Sequence, residues 1–528
     1  MEPSPTTSWA EMLGAVIHSS KRVVAAHSRH FLALSVLFLL PLSLLLVAFV
    51  PIPTLFSSSS SSPPYPPQSL LCSSRYSSSA AAAAECFSSR DAAFASRPRF
   101  LAGKHLGYAY TTLVWAPYGA HWRNLRRIAA VELFSPAQLS ASAQIRADEV
   151  AELVKALARA SGGPDRRVVM KPRLFAMAMN VMMRMIAGKR YFGGEGQGGE
   201  LGLAGSEEEA RRFQEIVEES FAVSGATNLG DFVPLLRVLD YKGVERRLVR
   251  LQEKRDTFMQ GIVDERRRIR RRGGDDDDDD DDDDKGEGGR KTIIDVLLNL
   301  QESDPEYYTD EIIKGVLVVM LSAGTDTSVV TIEWAMALLL SHPDVMEKAR
   351  AELDLRVGSG RLVQESDLSD LPYLQCIIKE TLRLYPAGPL IPAHESTEDC
   401  TVAGYHVPRG TMLLVNAWAI HRDPTNWTEP TQFRPERFLV EREEVEGSMV
   451  MLPFGLGRRR CPGEGLAMRV VGLALAALVQ CFEWDVGSEG VDMTEGTGLT
   501  MPMAKPLVAA CKPRTAVIHA QLATVGAA

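Results

Sequence analysis

A long helical pattern over residues 310–340 constrains the fold more than any other stretch of the chain. Its two halves, "GVLVVMLSA" and "SVVTIEWAMALLL", are apolar on nearly every side, and a helix of that composition is buried inside a larger body. Between them lie Gly324, Thr325, Asp326 and Thr327, and buried polar groups need partners or a task. An exposed polar turn is the alternative, but the apolar flanks argue against it. We expect threonine hydroxyls here to bond carbonyls four residues back and to open the helix locally.

The remaining patterns predict a chain that is mainly α with a small β component. Residues 148–160 and 207–221 also have helical periodicity, whereas strand-like pieces such as "CTVAGYHVPRGTMLLVNAWAI" gather in the C-terminal half. A chain of 528 residues with 45% hydrophobic content can bury a large core.

The sequence predicts four successive parts, of which three precede the globular domain. Residues 1–30 form an extension, and Phe31 to Val50 contain no charged residue, which matches the roughly 20 residues that a helix needs to cross a bilayer. We interpret this stretch as an uncleaved transmembrane anchor, with Pro41 able to kink it. Residues 51–84 are rich in Pro, Ser and Ala and predict a hinge and linker. The globular domain then covers residues 85–528.

The charge of the chain is dominated by one segment. Ten of the 67 acidic residues form the run Asp275 to Asp284. The other acidic residues nearly equal the 58 basic residues in number. We predict that residues 273–290 are a disordered acidic loop, with a calcium site or a basic partner as the alternatives. Outside the acidic run the net charge is close to zero, which gives no reason to expect nucleic acid as a partner.

The cysteines point to one site rather than to a disulfide framework. The seven cysteines are scattered and form no CxxC pair, which suits a reducing compartment. Cys461 differs from the others because it precedes the helical run "GEGLAMRVVGLALAALVQ", and a helix start favours thiolate over thiol. Gly457 and Gly463 permit tight turns beside a large flat ligand, and Arg459 can pair with an anionic group on it.

This stretch resembles the haem-thiolate signature of the cytochrome P450s. Phe454, Gly457, Arg459, Cys461 and Gly463 fit the pattern F-x-x-G-x-R-x-C-x-G. Three further motifs, "AGTDTS", "ETLR" and "PERF", occur in the order that this family has. The resemblance implies the cytochrome P450 fold and the cofactor haem b (heme, iron protoporphyrin IX) with Cys461 as its axial ligand.

The resemblance also implies roles for residues outside the cysteine loop. A buried network that supports the loop comprises Glu380, Arg383 and Arg437. The haem propionates are bound by Trp122, Arg126, Arg459 and His394. Phe454, Gly457 and Gly463 shape the loop itself.

The implied activity is that of a monooxygenase, in which one atom of O2 enters the substrate. Thr327 is expected to contact dioxygen, and Asp326 to connect it to solvent. Because the sequence contains no flavin module, electrons are expected from NADPH through a membrane-bound cytochrome reductase. A haem-thiolate isomerase or dehydratase is the alternative, but such relatives usually lack the pair Asp326 and Thr327.

Residues 85–513 are similar to plant microsomal members of the isoflavone and flavonoid hydroxylase group. The expected substrate is therefore a small apolar or aromatic plant metabolite, or a xenobiotic. The group is anchored by a single span in the endoplasmic reticulum membrane, in contact with lipid, with its catalytic domain in the cytosol. Lys21, Arg22 and Arg29 precede the span and taken alone predict the opposite orientation. We follow the family, because the scattered cysteines also fit the cytosol.

One departure from the family lies upstream of the globular domain. Family members have the first strands of a small sheet between the proline hinge and the segment that matches Glu85, whereas here residues 68–84 are rich in Ser and Ala. We therefore expect part of the N-terminal β-sheet region to be absent. A non-catalytic or misfolded truncated member is the second alternative function.

Overall fold

The computed structural model of the chain describes residues 79–161, 167–192, 207–225, 228–232, 234–272, 292–440 and 450–514. The predicted anchor at Phe31–Val50, nearly all of the hinge and the acidic loop at residues 273–290 lie outside these described residues. All of the described residues belong to one unit, Pro63–Ala528.

Helices make up most of the described chain. The longer ones are Ala143–Ser161, Met170–Ala187, Glu207–Gly225, Val244–Arg272, Ile293–Ser303, Asp310–Ser341, Pro343–Arg356, Pro372–Leu384 and Glu464–Cys481. The shorter ones are Ala80–Phe87, Leu101–His105, Ala120–Ile128, Pro136–Ala141, Pro234–Val238, Ala417–Ile420 and Arg437–Val440. A π-helical turn at Ala129–Leu133 and 3-10 turns at Leu229–Asp231, Tyr241–Gly243, Glu365–Asp370 and Gly457–Arg459 complete the set. The three helices predicted from periodicity are confirmed.

The helix Asp310–Ser341, here called the central helix, lies in the core as its composition predicts. It begins with two acidic residues, which favour a helix N-terminus, and it packs against Met170–Ala187, Val244–Arg272 and Glu464–Cys481. Gly324 permits the closest approach, since a Cβ atom there would lie 2.6 Å from Sδ of Met182. The predicted local opening does not occur, because the helix is continuous through residues 323–328.

The strands form three small antiparallel sheets. β1 (Arg167–Val169), β6 (Phe482–Asp485) and β7 (Val508–Pro513) form one sheet in the order β1-β7-β6. β2 (Leu390–Glu395) pairs with β5 (Met412–Asn416), and β3 (Cys400–Val402) forms a hairpin with β4 (Tyr405–Val407). The predicted strand region is correct except at its end, where Ala417–Ile420 is helical because the Asn416 side chain caps it by accepting from the Ala419 amide. The fold is thus mainly helical with small sheets.

Two of these features bear on the predictions for the N-terminal region. In the described part of the chain, β2 has β5 and one isolated bridge, from Glu395 to Ser96, as its neighbours. Residues 68–78, which belong to the stretch where we expect strands to be absent, lie outside the described residues. Among the described helices, the central helix and Glu464–Cys481 are long and apolar enough to cross a membrane, but most of their apolar residues are buried in the core.

Candidate active site

The loop before Glu464–Cys481 is fixed by glycines and by short backbone contacts. Gly455 and Gly457 have φ angles of 70° and 69°, a conformation that other residues adopt only at a cost. At Gly457 a Cβ atom would also lie 2.5 Å from Oδ1 of Asp91 and 2.7 Å from the carbonyl oxygen of Phe87. The amide of Cys461 donates to the carbonyl of Phe454 at 2.8 Å. The loop therefore accepts only glycine at 457 and holds Cys461 in one place.

Cys461 is the accessible cysteine of the described chain. The other described cysteines are buried: Cys86, Cys376, Cys400, Cys481 and Cys511. Cys461 is exposed as a residue, although the surrounding protein desolvates its thiol. Burial raises the pKa of this thiol, whereas the amides of Gly463 and Glu464 and the charge of Arg126 lower it. The predicted effect of the helix start is present, but burial outweighs it, so the thiolate depends on a bound cation.

The three residues of the predicted supporting network lie together in the core. Arg383 donates from Nε and Nη2 to the two carboxylate oxygens of Glu380, at 2.7 and 2.8 Å. Arg437 donates from Nε to the same carboxylate at 3.0 Å. The exposed fraction of the whole residue is 0% for Glu380 and Arg383 and 4% for Arg437. One carboxylate thus pairs with two buried guanidinium groups, and its pair with Arg383 is bidentate, the geometry that makes such pairs strong.

His421 joins this network to the cysteine loop, and the sequence analysis did not identify it. Its Nδ1 donates to the carbonyl of Arg383 at 3.1 Å, and its Nε2 accepts from the amide of Leu452 at 2.8 Å. Burial and the Arg383 charge lower the pKa of His421 to about 3. The ring is therefore neutral, as an Nε2 acceptor must be. The only signal in the sequence was a histidine among apolar residues in "NAWAIHRDP".

Trp122 and Arg459 form one part of a wall beside the loop. Arg459 donates to the carbonyls of Ala95 and Ala116 at 2.6 and 2.5 Å. Its guanidinium carbon lies 4.6 Å from the ring centroid of Trp122, whose Nε1 donates to the carbonyl of Leu113 at 3.1 Å. Both side chains are thus held in place by backbone groups, as the helix Ala120–Ile128 and the cysteine loop meet here.

Arg126 and Arg97 extend the same wall. Arg126 donates to the carbonyl of Arg460 at 2.6 Å. Arg97, which the sequence analysis missed, donates to the carbonyl of Ala393 at 2.8 Å and also to that of Pro392. Its signal was a single arginine in the otherwise apolar "AAFASRP".

The wall is strongly cationic. Burial lowers the pKa of Arg97 to about 10, and burial with the charges of Arg97 and Arg126 lowers that of Arg459 to about 9. Within the described chain, the hydrogen bonds of these three side chains go to backbone carbonyls. A group of half-buried cations without a carboxylate is costly unless an anion joins it. The wall is therefore suited to a ligand with two negative charges.

His394 lies beside these arginines but differs in its hydrogen bonding. Its Nδ1 donates to the carbonyl of Phe94 at 2.6 Å, and its ring lies 4.8 Å from that of Phe87. Burial and the charges of Arg97 and Arg459 lower the pKa of His394 well below its ordinary value. With Nδ1 as the donor, the neutral ring offers an acceptor at Nε2. Arg97, rather than His394, is the additional cation of this wall.

These features fit haem b. The exposed cysteine of the described chain lies beside a cationic wall that suits two propionates. Ala323 is exposed although the central helix is otherwise mostly buried around it, as expected where a helix borders a ligand site. The donor set suits haem: a sulfur ligand for iron and guanidinium groups for carboxylates.

Replacement of Arg97 by glutamine should weaken haem retention. The change removes a half-buried cation of the wall, and hydrogen bonds to charged groups contribute about 1.5–3 kcal/mol. We expect transfer of haem from the purified protein to apomyoglobin to become about tenfold faster or more. The exposed Arg99→Gln is the matched control and should not change the rate. An unchanged rate in Arg97→Gln would remove Arg97 from the site.

Asp326 and Thr327 are half-buried on the turn of the central helix that also carries the exposed Ala323. The Thr327 hydroxyl donates to the carbonyl of Ala323 at 2.7 Å, so the predicted bond to the residue four back is confirmed. Asp326 accepts a hydrogen bond from the Thr500 hydroxyl at 2.8 Å. Burial raises the pKa of Asp326. A carboxyl with a raised pKa beside a hydroxyl can pass protons.

Comparisons with known proteins agree with this site. The family model described as Cytochrome P450 matches residues 74–509. The chain is 52% identical over 436 residues to "Cytochrome P450 81Q32" of Catharanthus roseus, with 82% of this chain and 81% of the relative covered. It is 49% identical to "Isoflavone 3'-hydroxylase" of Medicago truncatula, with 81% of each chain covered.

A solved structure, that of a zebra fish cytochrome P450 with progesterone, is similar to this chain with a TM-score of 0.65. It is 26% identical in sequence, and the match covers 83% of this chain and 93% of that one. The chain therefore belongs to the cytochrome P450 family, the haem-dependent monooxygenases that bind haem b through an axial cysteine.

Proposed function

We propose that this chain is a membrane-anchored monooxygenase that hydroxylates a small aromatic plant metabolite of the flavonoid or isoflavonoid type. The observation that carries the proposal is the exposed Cys461, in a loop fixed by Gly457 and beside a cationic wall. The similarity to an isoflavone 3'-hydroxylase supports the substrate class. Electrons would come from NADPH through a cytochrome reductase.

Each part of the site has a separate task in this proposal. Cys461 is the axial ligand, and Glu380, Arg383 and Arg437 hold its loop through His421. Arg97, Arg126 and Arg459 bind the propionates, with Trp122 and His394 packed beside them. When bound, haem supplies the activation of O2, so that one oxygen atom enters the substrate and the other leaves as water.

Asp326 and Thr327 supply protons from the central helix. The water-forming half of the reaction needs two protons, and this helix is mostly apolar and buried on both sides of the pair. In this proposal the Thr327 hydroxyl turns away from the Ala323 carbonyl to donate to the reacting oxygen, and Asp326 replaces the proton that is used. The raised pKa of Asp326 suits this task, because it favours the protonated form that a proton donor needs.

Replacement of Thr327 by alanine should uncouple NADPH use from product formation. The variant lacks the hydroxyl that donates the proton in this proposal. General acid catalysis increases the rate of a reaction by about 10²–10⁴-fold. We expect product per NADPH to fall at least about tenfold while hydrogen peroxide rises. Thr325→Ala is the matched control, because its hydroxyl also bonds the carbonyl four residues back, at 2.8 Å, but is fully buried. Equal coupling in Thr327→Ala and the wild type would contradict the assignment.

The proposed partner and location follow from the exposed side of the cysteine loop. Arg458 and Arg460 are exposed there, and Arg460 also pairs with Glu464 at 2.7 Å. We assign these cations to docking an acidic reductase, on the cytosolic side of the endoplasmic reticulum membrane. Asn426, in the sequon "NWT", is exposed, so glycosylation at Asn426 would place the domain in the lumen and overturn this assignment.

Co-expression with a reductase and a panel of flavonoids and isoflavonoids tests the proposed function. Hydroxylated product that depends on both NADPH and the reductase supports it. Turnover without NADPH would identify an isomerase or dehydratase instead. A reduced carbon-monoxide spectrum without the red-shifted Soret band would identify a chain that does not assemble a haem-thiolate site.

A further inference from the structure

Thr500 is a buried hydroxyl that meets the acid of the central helix. Its Oγ1 donates to Oδ2 of Asp326 at 2.8 Å. The residue is 8% exposed and lies far along the chain, in the segment between Glu464–Cys481 and β7. No motif in the sequence marks it. The contact therefore brings a hydroxyl from outside the central helix to the proposed proton donor.

The segment that carries Thr500 is fixed to the same helix at a second and a third point. Nε1 of Trp334 donates to the carbonyl of Met501 at 2.8 Å. The amide of Leu507 donates to the carboxylate of Glu333 at 2.9 Å. Since Trp334 and Glu333 follow Asp326 by about two turns of the helix, residues 500–507 run along one side of it. Thr500 is thus held in register with Asp326.

A further contact connects this segment to the residues next to the cationic wall. The amide of Met501 donates to the carbonyl of Ala387 at 3.0 Å. Ala387 begins the stretch of residues 387–393, in which the carbonyls of Pro392 and Ala393 accept from Arg97. Trp334 in turn stacks on Tyr385 with 3.9 Å between ring centroids. The segment is therefore connected to the acid of the central helix and, through Ala387, to the stretch whose carbonyls accept from Arg97.

We propose that Thr500 is a positioning residue that orients the Asp326 carboxyl for proton transfer to Thr327. The proposal rests on the proposed role of Asp326 and adds a residue that the family motifs do not contain. One carboxylate oxygen is occupied by the Thr500 hydroxyl, which leaves the other to exchange protons. Without that hydrogen bond the carboxyl can rotate, and the distance over which the proton moves is no longer set.

The charges around Asp326 determine how its titration responds. Burial raises its pKa, as does the charge of Glu218 on Glu207–Gly225, whereas the Thr500 hydroxyl and the charge of Lys171 on Met170–Ala187 lower it. On the central helix, the negative charge of Asp326 also repels that of Glu333 and so raises the pKa of Glu333. Loss of the Thr500 hydroxyl removes a group that favours the carboxylate. The pKa of Asp326 then rises, so any limb of a pH profile that reports this acid moves to higher pH.

The test compares Thr500→Val, which has nearly the same shape without the hydroxyl, with Thr500→Ser, which retains the hydroxyl. Product per NADPH is measured with the reductase over a range of pH for both variants, Asp326→Asn and the double variant. We expect Thr500→Val to lower the ratio about fivefold, the factor for one ordinary hydrogen bond, and to move the pH profile upward. Thr500→Ser should match the wild type, and the double variant should match Asp326→Asn.

Controls separate this inference from the proposed function. The carbon-monoxide spectrum should be the same in Thr500→Val and the wild type, and Thr500→Ala provides a second variant without the hydroxyl if valine impairs haem binding. If Asp326→Asn does not change coupling, the proposed role of Asp326 is wrong. If Asp326→Asn uncouples but Thr500→Val keeps the wild-type ratio and profile, Thr500 has no positioning role. Equal losses in Thr500→Val and Thr500→Ser would show that it only packs the loop.

Discussion

Replacement of Cys461 by serine is expected to abolish the haem-thiolate spectrum and reduce product formation to background. The sulfur of Cys461 is the accessible thiol of the described chain, in a loop that Gly457 and the Phe454 carbonyl hold in one conformation. A serine hydroxyl has nearly the same size but is a far weaker ligand for iron than a thiolate. The reduced carbon-monoxide difference spectrum of purified protein measures the change directly, through the loss of the red-shifted Soret band.

Cys400→Ala provides the control for this variant. Cys400 lies in β3, is buried, and has a raised pKa because of burial, so it is an unreactive small side chain. We expect a normal spectrum from it. A red-shifted band of wild-type intensity in Cys461→Ser would contradict the assignment of the axial ligand and would direct attention to another cysteine.

Replacement of Glu380 by glutamine is expected to destabilise the folded protein severely. The carboxylate of Glu380 is the shared partner of Arg383 and Arg437 at 2.7–3.0 Å. Glutamine has the same shape but leaves both guanidinium groups in the core without a negative charge. Breaking a buried ion pair in this way costs about 3–5 kcal/mol. The free energy of unfolding from urea denaturation should fall by about that amount.

The same variant should also lose haem, because the network supports the cysteine loop through His421 and Leu452. The control is Glu483→Gln, which breaks the exposed pair with Lys512 at 3.5 Å. Such a surface pair contributes about 0–1 kcal/mol, so stability and haem content should hardly change. A stable, haem-replete Glu380→Gln protein would show that the two arginines are held by their carbonyl partners alone.

Several parts of the fold and site followed from local patterns. Helical periodicity predicted Asp310–Ser341 and Glu464–Cys481, because amphipathic or fully apolar spacing is visible within one segment. The cysteine loop was recognisable because its glycines and its arginine lie within ten residues of Cys461. The helical end of the strand region, Ala417–Ile420, was missed because a single side-chain cap at Asn416 decides it.

Residues that act through long-range contacts were not predictable in this way. Arg97 reaches the carbonyls of Pro392 and Ala393, His421 reaches Leu452, and Thr500 reaches Asp326. None of these side chains belongs to a spaced motif. In each case the partner is distant in sequence, so no local sequence pattern indicates the contact, which forms only when the chain folds.

By itself, the sequence determined the helical class of the protein, the cysteine loop and the identity of the groups that can ligate iron and pair with carboxylates. These properties depend on the kinds of side chain and on their spacing within one segment. Only the tertiary structure decided which cations form the wall, that the ring of His394 offers an acceptor there, and that Thr500 meets the acid of the central helix. Burial, mutual charge and hydrogen-bond partners set these properties, and all three come from segments that meet only when the chain has folded.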